Sequence, residues 1–170
     1  MKINILYIVV ICISLVSFNS CKGVYSFTGA DIDANIKTIT IEYFQNRASL
    51  VQPNLSNVFT ETLKDKFVSQ TNLELINYTG DLKLQGEITN YNVTAQSFQG
   101  NETAALNRLT ITVRVKYTNN IEPSKDFDTS FSRYADFQSS QSLSAVEASL
   151  IQEISEELVI DIFNKAVANW

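Results

Sequence analysis

From Asn107 to Thr118 apolar and polar residues strictly alternate, with Leu109, Ile111, Val113, Val115 and Tyr117 set against Arg108, Thr110, Thr112, Arg114 and Lys116. Successive strand residues point to opposite faces, so this period predicts a long strand with one apolar wall and one wall of threonines and cations. Its β-branched residues suit a pleated surface, and neither Gly nor Pro interrupts it. The same period places strands over Ile36–Phe44, with Ile39, Ile41 and Tyr43 inward, over Leu73–Tyr78, and over Phe127–Phe137. Between Leu82 and Phe98 the parity changes: Leu82, Leu84 and Ile88 share one face, Tyr91, Val93 and Ala95 the other. A strand keeps both sets inward only with one extra residue, which predicts a bulge near Thr89 and Asn90.

Two stretches change to helical spacing. After a loop over Gln45–Gln52, Leu55, Val58, Phe59, Leu63 and Phe67 form a stripe that Pro53 would open at the first helical position and that fades at Thr71. The second stripe runs from Val146 through Leu150, Ile154, Leu158, Ile162 and Phe163 to Trp170. Ser144 and Glu147 have the spacing of a capping box at its start. Some 25 helical residues at ~1.5 Å match a twelve-residue strand at ~3.3 Å, so this helix is expected to cover the apolar wall end to end. Turn signals lie at Thr79-Gly80-Asp81, at 99–105 and around Pro123. The order β-α-β-β-β-(β)-α predicts an α+β two-layer sandwich, with both helices on one face of a mostly antiparallel sheet of four to five strands. Arg108, Arg114 and Lys116 then lie on the uncovered face.

Composition narrows the function classes. The chain has 170 residues, 45% of them hydrophobic, enough for one domain with a substantial core. Lys2 is the one charged residue before Cys21, so the rest carries one charge more than the −5 of the whole chain, or −6. Nucleic acid is therefore not an expected partner, because phosphate binding rests on an excess of Lys and Arg. There is no histidine, which removes the usual general base and the commonest metal ligand. The Ser and Cys triads built on it are unavailable, Glu156 and Glu157 are consecutive on a helix and point apart, and no Cys cluster suggests a metal. No catalytic residue, cofactor or metal is expected.

Residues 1–20 read as a signal peptide, with Lys2 ahead of an apolar run from Ile3 to Phe18. Cys12 would leave with it, and Cys21, alone in the mature chain, forms no internal disulfide. Phe18-Asn19-Ser20-Cys21 resembles a bacterial lipobox, with Phe18 in place of the usual aliphatic residue and Ser20 as the small one. That resemblance implies lipid attachment at Cys21; the mixed polarity that follows, with Gly23, Gly29, Asp31 and Asp33, reads as a tether over 21–35 ahead of a single domain over 36–170. Lys22 rather than Asp after the cysteine implies the outer membrane, and the lack of an acidic run there implies a domain facing the periplasm.

Three further stretches, Tyr25-Ser26-Phe27-Thr28-Gly29, Phe44-Gln45-Asn46-Arg47-Ala48 and Leu106 to Val113 running on to Lys116, resemble the LptE family of outer-membrane lipopolysaccharide-assembly lipoproteins. The resemblance implies a sandwich seated in the lumen of an LptD-type β-barrel and a supporting role in delivering lipopolysaccharide. It transfers no site residue. The cationic wall keeps three readings: a solvated face with Glu87 and Asp128 as cross-strand partners, contact with the wet interior of a barrel, or contact with the phosphates of lipopolysaccharide. A free lipoprotein binding a small or lipidic ligand is the alternative from another class.

Overall fold

In the computed structural model, residues 32–50, 52–96 and 105–167 are described. The elements are β1 (Thr38–Ile41), β2 (Gln45–Asn46), α1 (Leu55–Gln70), β3 (Glu74–Leu75), β4 (Leu82–Gln96), β5 (Leu106–Asn119), a 3₁₀ turn (Pro123–Lys125), β6 (Phe127–Gln138) and α2 (Leu143–Val167). They form the expected two-layer α+β sandwich. The sheet order is β3-β1-β4-β5-β6, with β2 also paired to β4. The long pairs β4–β5 and β5–β6 are antiparallel, whereas β1–β3, β1–β4 and β2–β4 are parallel. The sheet is therefore mixed: α1 carries the chain from β1 across to the parallel β3, as a crossover must.

The period-2 reading holds along β5, where Leu109, Ile111, Val113 and Val115 have no exposed surface. On β4 the register slips between Ile88 and Asn90, leaving Thr89 as the extra residue. That single insertion turns Tyr91 to the core side, where it is buried like Leu82, Leu84 and Ile88.

The first strand departs from expectation. Tyr43 is exposed and Phe44 is fully buried, because the strand breaks between β1 and β2. Glu42 N–H still donates to the Leu84 carbonyl (2.9 Å) and Arg47 N–H to that of Ile88 (2.8 Å), so the chain rejoins β4 after the break. The expected loop over Gln45–Gln52 thus begins with β2. Phe44 packs edge-on against Phe59 with ring centroids 5.1 Å apart, and its N–H donates to the buried Thr60 Oγ1 at 3.1 Å. Gly86 leaves the room for this ring on the inner face of β4: a Cβ there would stand 2.6 Å from the Phe44 ring and 2.0 Å from the Arg114 carbonyl oxygen.

Both helix starts also differ. Asn54 already has helical dihedrals and its carbonyl accepts the Val58 N–H at 3.0 Å, so Pro53 sits in the turn before α1 rather than in it. At α2, which starts at Leu143, the Ser142 carbonyl accepts the Ala145 N–H at 3.1 Å, two residues too early for a box on Ser144. Glu147 instead accepts from Tyr91 Oη on β4 and from Gln52 Nε2 at 2.8 Å. Burial and that carboxylate push the Tyr91 hydroxyl well above the usual tyrosine range. A carboxylate expected to cap its own helix thus ties three segments together.

The core lies between the inner sheet face and the two helices. Leu55, Phe59, Leu63 and Phe67 of α1 and Ile154, Leu158, Ile162 and Phe163 of α2 supply its helical half, joined by the Phe67–Phe163 edge contact at 5.1 Å. The helices run alongside each other, α1 over the β1 side and α2 over β5 and β6. Arg133 on β6 forks onto Asp161 of α2 at 2.6 and 2.7 Å, fixing α2 beside the sheet edge. At the other end of β5 burial pushes the Tyr117 hydroxyl up to about 12.

Candidate functional site

The opposite face of β4, β5 and β6 carries polar side chains in register. Thr94, Arg108 and Asp136 form one row, Glu87, Arg114 and Ser130 a second, and Gln85, Lys116 and Asp128 a third. Between them lie Asn90, Thr112 and Ser132, with the Thr112 and Ser132 hydroxyls 3.0 Å apart. Neither helix covers this face, since both pack on the apolar one.

Two guanidinium forks are already occupied. Arg108 donates from Nε and Nη2 to the two Asp136 oxygens, each at 2.8 Å. Its Cζ lies 3.5 Å from the centroid of the Tyr134 ring, adding a cation–π contact. Arg114 donates from Nε at 2.8 Å and from Nη2 at 3.0 Å to Asp128, which is diagonal to it across β5 and β6. These hydrogen bonds hold Asp128 and Asp136 below the ordinary carboxylate range and both arginines above theirs. Glu87, directly opposite Arg114 on β4, adds a weaker attraction. Lys116 stands opposite Asp128 and helps to lower it, but forms no ion pair among the described residues. On the same face Lys83 reaches Glu42 at 2.7 Å.

The face is therefore rich in charge and locally neutral. Bidentate pairing is the strong form of the Arg–carboxylate contact. A phosphate would have to displace a carboxylate from either fork before binding, so Arg108 and Arg114 do not make a ready anion site. Glu87 and Asp128 do face this wall as cross-strand neighbours. Sequence reasoning missed Asp136 and Tyr134. The signal was there in part, because Asp136 has the parity of Asp128 on its strand, but pairing it with Arg108 needs the β5–β6 register.

Cys21 and Trp170 lie outside the described residues. Among the described residues no group of His, Cys, Asp or Glu is arranged to hold a metal. No helix among them is long and apolar enough to cross a membrane. A cleft lined by Ile32, Ile36, Leu82, Tyr117 and Asn119 holds about 10 Å³, roughly one water, against several hundred Å³ for a small-molecule site.

Comparison with known proteins gives the fold its relatives. A minor lipoprotein from Acinetobacter baumannii is 14% identical, with a TM-score of 0.51 over 77% of this chain and 92% of that one. The hypothetical protein CT253 from Chlamydia trachomatis is 13% identical, with a TM-score of 0.53 over 79% and 99%. A putative neuraminyllactose-binding hemagglutinin homolog from Helicobacter pylori is 7% identical, with a TM-score of 0.51 over 80% and 85%. At these identities the likeness is one of fold. No curated protein sequence matches the chain. The model of one sequence family, described as lipopolysaccharide-assembly, matches residues 36–166, which takes in every described strand, all of α1 and all of α2 but Val167. The chain belongs to the LptE family.

Proposed function

We propose that this protein is a non-catalytic lipoprotein anchored through Cys21 on the periplasmic side of the outer membrane. It seats in the lumen of an LptD-type β-barrel and supports delivery of lipopolysaccharide to the outer leaflet. Residues 1–20 are the signal peptide, 21–35 the lipidated tether and 36–170 the seated domain. The observation that carries this reading is the family match over 36–166. The polar sheet face supplies the physical support: Arg108 and Arg114, each ion-paired, with Lys116 beside them, present a charged surface suited to the wet wall of a barrel.

Affinity purification of the tagged chain from detergent-solubilised outer membranes tests the reading. A large barrel protein should be recovered at one-to-one stoichiometry, and fewer copies should be recovered when Arg108, Arg114 and Lys116 are all replaced by Glu. A chain that elutes alone as a monomer in mild detergent refutes it. Loss of palmitate labelling in Cys21→Ser tests the anchor separately.

A further inference from the structure

The two edges of the sheet are finished differently. β3, at one edge, is only the pair Glu74–Leu75, and an edge that short offers little for another chain to pair with. β6, at the other, runs for twelve residues, all in unbroken register with β5 and with no Gly, Pro or bulge in the line. Among the described residues no strand lies beyond it. Its side chains are open as well. Thr129 and Arg133, on the helix side of β6, are exposed, and Phe127 and Phe131 beside them are only half-buried. α2 reaches this edge through the Arg133–Asp161 fork and stops short of covering it.

The alternation of the ladder fixes which backbone groups of β6 turn outward. Ser139 N–H donates to the Ala105 carbonyl at 2.9 Å, which makes Ala105 and Ser139 a hydrogen-bonded pair. In an antiparallel ladder bonded and non-bonded pairs alternate, so the odd-numbered residues of β6 turn their N–H and C=O groups to β5. The even-numbered ones, Asp128, Ser130, Ser132, Tyr134 and Asp136, turn theirs away. The Thr112 and Ser132 hydroxyls, 3.0 Å apart, agree with this, because non-bonded pairs bring their side chains closer. A line of backbone donors and acceptors is thus held out that no described backbone group meets.

Such a line is completed by one kind of occupant, an extended peptide. A second copy of β6 fits it poorly. Full two-fold pairing about Ser132 would set Asp128 opposite the copy's Asp136 at both ends, and like charges directly opposite destabilise. A strand of a closed barrel wall fits no better, since its own ladder is already paired on both sides. Resting on the reading that the domain sits in a barrel lumen, we propose that β6 takes up an extended segment of the barrel partner that folds in from the wall. It adds to the sheet as a further strand. Main-chain bonds hold such a strand and alternate side chains select it. Parity sets those side chains: uncharged and polar beside Ser130 and Ser132, apolar beside Phe131, and none of them acidic opposite Asp128 or Asp136. The added strand lies beside the polar face rather than over it, which leaves Arg108, Arg114 and Lys116 to the wall.

The test is amide hydrogen exchange, read residue by residue, on the chain purified with its barrel partner and on the same chain purified alone. In the complex Ser130, Ser132 and Tyr134 should exchange at least roughly tenfold more slowly than in the chain alone, because pairing adds an opening step. Thr129, Phe131 and Arg133 should be protected in both. Ser132→Pro removes one outward N–H and leaves the β5 ladder whole, so its urea midpoint should stay near that of the parent while barrel recovery falls. Arg133→Pro takes an amide out of that ladder and should lower the midpoint. Outward amides that exchange alike with and without the barrel overturn the proposal, as does undiminished recovery with Ser132→Pro. Slowing in the chain alone that grows with its concentration marks a second copy as the occupant and overturns it too. These results leave the lumen reading standing, whereas a parent chain that recovers no barrel refutes both.

Discussion

Replacing Gly86 by Ala should destabilise the domain far more than adding one methyl suggests. Gly86 lies on the inner face of β4 opposite Val115, and its new Cβ would stand 2.0 Å from the Arg114 carbonyl oxygen and 2.6 Å from the Phe44 ring. The ring has some freedom to tilt, but the carbonyl belongs to the β5 ladder and moves only with the strand. Overpacking a core costs about 1–3 kcal/mol. Parting the ladder at Arg114 loses roughly one further hydrogen bond, about 1 kcal/mol. A total of about 2–4 kcal/mol is a large share of the ~5–15 kcal/mol of a typical domain. With a urea slope of ~1–3 kcal/mol/M, the unfolding midpoint followed by far-UV circular dichroism should fall by roughly 1–2 M. Phe44→Ala alone should cost about 3–5 kcal/mol through its cavity. If the carbonyl is the main obstacle, the double variant should be additive within about 1 kcal/mol. A Gly86→Ala protein within about 0.5 kcal/mol of the parent would refute the reasoning, and coupling equal to its whole cost would assign the clash to the ring.

Tyr91→Phe removes the donor that holds Glu147, and should cost ~1.5–3 kcal/mol as a hydrogen bond to a charged group, measured by urea unfolding; an unchanged midpoint would remove that tie from the fold. Tyr91 and Tyr117 have folded pKa values raised above the unfolded one. Their contribution is complete below about pH 10 and lost as pH rises through the folded values. Absorbance near 295 nm should show two tyrosines ionising later than the rest in the folded protein. Asp81, Asp128 and Asp136 have depressed values, so their contribution is present above about pH 4 and lost as pH falls through the folded values. The urea midpoint should fall with acid below pH 4, and less steeply in a protein carrying Asp128→Asn and Asp136→Asn.

What could be read from the sequence followed the strength of its periodicity. The strict alternation of β5 and the parity conflict of β4 are local patterns, and each fixed its structure down to the extra residue at Thr89. Tyr43 failed for a non-local reason: the choice between Tyr43 and Phe44 as the inward ring depends on the space over Gly86, forty residues away. Glu147 failed likewise, since a matching cap spacing carries no information about Tyr91 and Gln52 waiting across the core. The cationic wall was visible as a row of charge. Its neutralisation was not, because Asp128 and Asp136 meet Arg114 and Arg108 only through the register of a strand pair.

That neutralisation bears on how such a face would dock. Free arginines and lysines lose side-chain freedom and hydration when a partner covers them, and both losses oppose binding. Arg108 is already held by a bidentate carboxylate and stacked on Tyr134, so the ordering is done before any partner arrives. The pairs also leave little net field, which lowers the chance of capturing stray anions such as free phosphate. A barrel wall offering donors and acceptors at matching positions would gain specificity from the fixed pattern while the sheet stays well solvated beforehand. Lys116 is the exception in this row. With Asp128 already engaged by Arg114, its ammonium can meet a carboxylate on the partner at little cost to the fold. Of the three cations it is therefore the one whose replacement should weaken docking without touching stability.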